Sequence, residues 1–230
     1  NAQESKNLEA GIKGYLYRSE RQLFRKILFE ATVFNIWINN EIVPFEVYGD
    51  VFFRNAAKTN RRGLEFGSSM EIVHGLDLQL AYTFSDFIYR EYEAKNIEVN
   101  NQGDISEELR DFGGNAVPSV PRHNLYFSLA YTQGIFPWAD AFVKFSYMNI
   151  SGLWVDDANS DQTSAYQLLN TVVGLDMAFG KFNVLVSGSM NNMLDEVYVG
   201  FTNTNSADGR FYEAGEPRSY FASLKLGYRF

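Results

Sequence analysis

The sequence predicts an all-β protein, an antiparallel up-and-down barrel that crosses a membrane with strands and of which this chain is the C-terminal part. Three observations carry that expectation. Apolar and polar side chains alternate over segment after segment, short and long connections alternate down the chain, and aromatic residues are abundant up to the last position.

The final strand shows the pattern most fully. Tyr220, Ala222, Leu224, Leu226, Tyr228 and Phe230 fall on one face, and Ser219, Phe221, Ser223, Lys225, Gly227 and Arg229 on the other. Successive side chains of a strand point to opposite faces, so one face is apolar and the other mostly polar. Tyr228 and Phe230 at a strand tip suit a lipid–water boundary. Aromatics make up 16% of the chain, an excess that fits both pleated surfaces and interfacial girdles.

The other elements follow in order. Leu8, Ala10 and Ile12 alternate with Glu9, Gly11 and Lys13. Ile27 to Ile38 is apolar on both faces, so it reads as a strand whose lipid side is left open. Leu64, Phe66, Met70 and Ile72 form the next apolar face, then Leu76, Leu78, Leu80, Tyr82 and Phe84. Leu125 to Tyr131, Ala141 to Tyr147, Thr171 to Phe179 and Phe182 to Met190 continue the alternation. With the last strand this gives about nine. No convincing helix period occurs.

The connections Val73-His74-Gly75, Gly134 to Trp138 and Gly180-Lys181 are brief, whereas 41–57, 91–121, 155–165 and 200–217 are long. A barrel produces this when short turns share one rim and long loops the other; in an outer membrane these are the periplasmic and extracellular rims. Pro44, Pro118, Pro121, Pro137 and Pro217 are all expected in connections or at strand starts, because proline cannot donate to a ladder. Single-chain bacterial barrels have even strand numbers with both ends periplasmic. An odd count therefore implies an odd number of further strands upstream.

Composition excludes several function classes. No cysteine is present, so no disulfide, thiolate metal site or thiol catalyst is possible. A net charge of −8 disfavours nucleic acid. No apolar run is long enough for a spanning helix, but a barrel strand needs only about 9–11 residues, half of them facing lipid.

The order of motifs resembles the C-terminal barrel of TonB-dependent outer-membrane receptors. The resemblance rests on Ser5-Lys6-Asn7-Leu8-Glu9-Ala10-Gly11-Ile12-Lys13-Gly14, Asn39 to Glu46 and Phe53-Arg54-Asn55-Ala56 with Thr59 to Glu65. It continues through Leu80 to Phe87, Val120-Pro121-Arg122-His123-Asn124 and Met190 to Tyr198, and closes with Gly209 to Glu213, Gly215 to Arg218 and Tyr228-Arg229-Phe230. It implies a roughly 22-stranded barrel with a plugged lumen, of which residues 1–230 are one C-terminal segment. It further implies import of a large nutrient, above all an iron–siderophore complex, driven by the TonB complex through a plug that this chain lacks. The lipid bilayer and the barrel-insertion machinery are the other implied partners, with Tyr228 and Phe230 as the insertion signature.

Among candidate sites, Arg61-Arg62 with Glu65 and Glu71 fit a lumen wall bonded to the plug better than a transport path. His74 and His123 fall on opposite rims and share no metal site. Asp156 to Asp161 lacks the glycine and terminal glutamate of a calcium loop and reads as solvated, as does Glu107 to Asp111. Arg210, Tyr212, Arg218 and Phe201 are the ligand candidates, since guanidinium and aromatic groups suit an anionic, partly planar chelate; ordering a long loop is their other use. No nucleophile–base pair is discernible, so no catalytic residue, enzyme activity or cofactor is expected. A passive porin or adhesin barrel and a secreted soluble β-protein are the alternatives. A plug with a TonB box upstream separates the receptor from the former.

Overall fold

The computed structural model describes residues 2–17, 23–47, 50–99, 105–206 and 212–230. Its strands are β1 (Glu4–Tyr17), β2 (Lys26–Val47), β3 (Asp50–Val73), β4 (Leu76–Glu91), β5 (Glu93–Val99), β6 (Ile105–Asp111), β7 (His123–Phe136), β8 (Ala139–Ile150), β9 (Tyr166–Phe179), β10 (Phe182–Asn191), β11 (Val199–Thr202), β12 (Tyr212–Ala214) and β13 (Ser219–Tyr228). Nine of them form one sheet in the order β1-β2-β3-β4-β7-β8-β9-β10-β13. Every neighbouring pair is antiparallel. The described residues contain no helix. The expected nine-strand meander is therefore what forms. The pairs β5–β6 and β11–β12 are separate ribbons set within the long connections.

The register aligns one alternate set of residues from each strand, mostly apolar, on a single face. Ile27, Met70, Leu78, Leu129, Phe145, Thr171, Met190 and Tyr220 lie side by side as successive cross-strand partners. A one-residue slip would turn every one of them to the opposite face, so the alternation in sequence fixes this register. It also resolves β2. Ile27, Phe29, Ala31 and Val33 join the apolar face through partners Leu16, Gly14, Ile12 and Ala10, while Leu28, Glu30, Thr32 and Phe34 point the other way.

Val73 pairs with Leu76, Phe136 with Ala139, and Phe179 with Phe182. The short turns are therefore His74-Gly75, Pro137-Trp138 and Gly180-Lys181. Two of them use a left-handed glycine, Gly75 at φ 77° and Gly180 at φ 59°. Tight hairpins need such a residue to follow the strand twist.

The long connections differ from expectation. Residues 41–57 were expected as a loop, yet β2 and β3 stay paired through them to Val47↔Asp50, past register shifts at Ile38/Glu41 and Glu41/Ile42. Pro44 accordingly lies inside β2 rather than in a loop. Its position satisfies the rule against proline in a ladder, because β1 pairs no further than Asn39, so beyond it β2 is an edge strand. The acidic run Glu107 to Asp111 lies in strand β6, within the expected long connection 91–121.

Dry packing sits at the long-connection end. Val43, Ala57, Tyr89, Tyr92, Ala94 and Phe112 form one buried cluster there. The apolar face of the sheet is exposed instead, on inner strands as well as at the borders, with Val33 at 52% and Val173 at 51%. It is not folded into a dry centre.

Candidate functional site

Three surfaces could carry function: the apolar face, the polar face and the rim of long connections. The apolar face is bounded by aromatic rings at the short-turn end. Phe136 stacks on Trp138 at 5.1 Å, and Trp138 contacts Phe179 at 4.8 Å. Phe182 meets Tyr228 at 5.0 Å, and Tyr228 meets Phe230 edge-on at 5.3 Å. At the other end Phe84 and Tyr82 contact His123, whose Nδ1 lies 2.9 Å from the Tyr82 hydroxyl. From Tyr220 to Phe230 the chain advances roughly 33 Å at about 3.3 Å per residue. Tilted by about 40°, that becomes roughly 25 Å, the height of the apolar band of a membrane barrel.

The polar face carries Glu30, Glu65, Gln79, Ser128 and Lys144. Arg61 lies on this face, but Arg62 does not. Adjacent strand residues point apart, and Arg62 pairs with Asp86 on the apolar side, beyond Phe84. The expectation that Arg61 and Arg62 line one wall together is corrected on that ground. Arg61 binds Glu41, which also accepts from Thr59, and its guanidinium lies 5.4 Å from the Phe87 ring. Glu71 pairs with Arg25 at 3.1 Å and Lys26 at 2.9 Å, near the short turn that holds His74. His74 and His123 thus stand at opposite ends of the strands. The described residues contain no cluster of three or more His, Cys, Asp or Glu suited to a metal.

At the long-connection rim one carboxylate ties four segments together. Asp157 accepts from Tyr89 Oη at 2.6 Å, Tyr92 Oη at 3.0 Å and Asn205 Nδ2 at 3.1 Å. Arg54 Nη2 stands 3.8 Å away and Arg54 Nε donates to Tyr92 Oη at 2.9 Å. The Asp157 amide donates to Asn205 Oδ1 at 2.8 Å, and Asn205 Nδ2 also reaches the Pro44 carbonyl at 3.0 Å. Burial pushes the Asp157 carboxyl above its ordinary range against the pull of these donors. Burial beside this carboxylate also holds both tyrosines well above the usual phenol range. The expectation of a solvated 156–161 loop fails at Asp157, which is 2% exposed. Only residues far apart in the chain reveal this, and no local motif announces it.

Three of the four ligand candidates, Phe201, Tyr212 and Arg218, lie among the described residues. Phe201 in β11 and Tyr212 in β12 share one ribbon, with Thr202 paired to Tyr212. The Tyr212 hydroxyl donates to Asp161, which pushes the phenol up to about 12 and holds the carboxyl below its usual range. Arg218 sits at the foot of this connection, donating from Nη2 to the Met193 carbonyl at 2.9 Å with Asp195 at 3.8 Å. Arg210 lies outside the described residues. Tyr228 is on the apolar face opposite Phe182, and Phe230 is fully exposed.

An antiparallel wall with one exposed apolar face, aromatic rings at both ends and built-up connections along one rim has the features of a transmembrane β-barrel wall. A family model described as "TonB dependent receptor-like, beta-barrel" matches residues 1–211, and the chain belongs to that family. Solved structures agree in fold. The ferric preacinetobactin receptor from Acinetobacter baumannii is 15% identical over 98% of this chain and 29% of its own, with a TM-score of 0.69. The ferric yersiniabactin uptake receptor FyuA from Yersinia pestis is 15% identical over 98% of this chain and 30% of its own, with a TM-score of 0.66. The copper transporter OprC is 13% identical over 99% of this chain and 31% of its own, with a TM-score of 0.63. The chain therefore spans less than a third of the length of the receptors it matches.

Proposed function

We propose that this chain is the C-terminal barrel segment of an outer-membrane receptor that imports a large nutrient, an iron–siderophore complex first of all. The carrying observation is the continuous exposed apolar face, which in the membrane of a bacterium meets lipid while the polar face meets a filled lumen. Energy reaches such a receptor from the TonB complex through a plug domain outside residues 1–230. The iron reading is supported by the ferric-chelate receptors among the structural neighbours. OprC, described as a copper transporter, favours a second reading in which the cargo is a copper species.

Phe201, Arg210, Tyr212 and Arg218 remain the proposed ligand contacts, offered by the 199–218 connection between β10 and β13. Tyr228 and Phe230 are proposed to present the closing strand to the insertion machinery. The test is growth of a deletion strain, complemented with the full-length gene, on single ferric siderophores and on limiting copper, with and without TonB. Growth restored on a ferric siderophore only when TonB is present supports the proposal. Restoration without TonB indicates a passive channel, and rescue only on copper replaces the iron cargo.

A further inference from the structure

We propose that the apolar face carries, at its long-connection end, a binding site for the phosphate-bearing headgroup of an outer-leaflet lipid, built by Arg62 and Arg122 around Asp86. This rests on the outer-membrane reading above. Asp86 is the cross-strand partner of Arg62, next along the same face from the Phe84↔Leu64 pair. Arg122 immediately precedes His123, the partner of Phe84 in β7. The charges therefore begin one step beyond the aromatic belt, on the side turned toward lipid rather than toward the lumen.

The geometry leaves positive charge to spare. Arg62 donates to Asp86 Oδ2 from Nε at 2.8 Å and from Nη2 at 2.6 Å. Arg122 Nη2 reaches Asp86 Oδ1 at 3.5 Å, and its guanidinium lies over the Phe84 ring at 5.6 Å. Two guanidiniums share one carboxylate, so the cluster keeps a net positive charge in a chain whose formal net charge is −8.

Exposure separates ligand from scaffold. The Asp86 side chain is 17% exposed, whereas those of Arg62 and Arg122 are 57% and 64% exposed. The carboxylate is covered and the cations are presented. Arginine on a lipid-facing strand is costly at mid-bilayer and nearly free at the interface, where anionic headgroups lie. Its planar fork matches phosphate oxygens in pairs, and the rings of Tyr82 and Phe84 lie beneath for the first acyl carbons.

The full-length protein in detergent micelles is titrated with bisphosphorylated lipid A, dephosphorylated lipid A and inorganic phosphate. Binding of the bisphosphorylated lipid is expected to weaken at least tenfold in Arg62→Gln/Arg122→Gln and to be unchanged in Lys225→Gln, which lies on the opposite face. Should the double variant not assemble, Arg122→Gln alone carries the test with a loss of at least threefold. Equal affinity in wild type and variant, or equal affinity for phosphorylated and dephosphorylated lipid, overturns the proposal. Displacement by inorganic phosphate at matched concentration assigns a free-anion site and overturns the lipid assignment. Fractionation of wild-type cells keeps the two ideas separate: a protein absent from the outer membrane sinks the membrane reading itself, whereas a membrane-resident protein with indifferent arginines sinks only this site.

Discussion

Asp157 has neighbours in sequence, Asp156 to Asp161, that suggest a loop in water, yet its partners Tyr89, Tyr92 and Asn205 lie 68, 65 and 48 positions away. No local pattern encodes such a contact, so this residue was not legible, whereas Leu224 and Lys225 were. Asp157→Ala would leave the two buried phenols of Tyr89 and Tyr92 without their acceptor, at about 1–3 kcal/mol for each. The expected outcome is faster limited proteolysis within 155–165, with Asp157→Asn much milder because its amide oxygen still accepts. The pH dependence has an unusual sign. The folded carboxyl binds its proton more tightly than the unfolded one, so its contribution is present at low pH and declines as pH rises through the raised folded value. Hydrogen-exchange protection of this segment should accordingly hold from pH 7 to about pH 5. The tyrosines act at the alkaline end. Their phenols ionise first in the unfolded chain, so protection should fall as pH rises past about 10.

Elements were legible wherever one face differs from the other. Period-two alternation located the sheet strands, and Gly75 and Gly180 marked their turns. The polarity of β2 was not legible, because its polar-side positions include Leu28, Phe34 and Ile36. Phe34 has a specific task there: it lies over Gly63, where an added Cβ would come within 2.5 Å of its Cζ and 2.3 Å of the Phe84 carbonyl oxygen. An aromatic ring covering a strand glycine is a known device for sheet pairing. Gly63→Val should therefore cut the yield of assembled full-length protein several-fold, seen as loss of the folded band on unheated gels. The β13 pair of substitutions tests the faces. Leu224 partners Val186 on the apolar side and Lys225 partners Leu185 on the other. Leu224→Arg places a cation against lipid at roughly 2–4 kcal/mol near mid-bilayer and should block stable insertion. Lys225→Leu should assemble normally, and equal behaviour of the two in an assembly assay would contradict the facing assigned to β13. The extended β2–β3 hairpin escaped notice because Pro44 and the register shift near Asn40 interrupt the alternation that marks a strand.

For the whole molecule the decisive quantity is direction rather than size. β1 begins at the long-connection end, where Glu4 pairs with Asn39, and runs toward the short-turn end. β13 begins where Ser219 pairs with Asn191 and ends at Tyr228 beside Phe182, so it runs the same way. The two border strands are thus parallel to one another, and neither pairs with the other. A bacterial single-chain barrel has an even number of strands, antiparallel throughout, so closure in such a barrel needs an odd number of further strands between them. Left open, each border presents unpaired N–H and C=O groups, which lipid cannot satisfy and which recruit other chains. Residues 1–230 produced alone and refolded into detergent should therefore aggregate and show no heat-modifiable shift on a gel. The full-length protein should show a folded band that converts on boiling. A monomeric, heat-modifiable species from residues 1–230 alone would mean that the borders can be satisfied within this chain. The parity argument, and with it the assignment to a larger barrel, would then fail while the facing of each strand still stood.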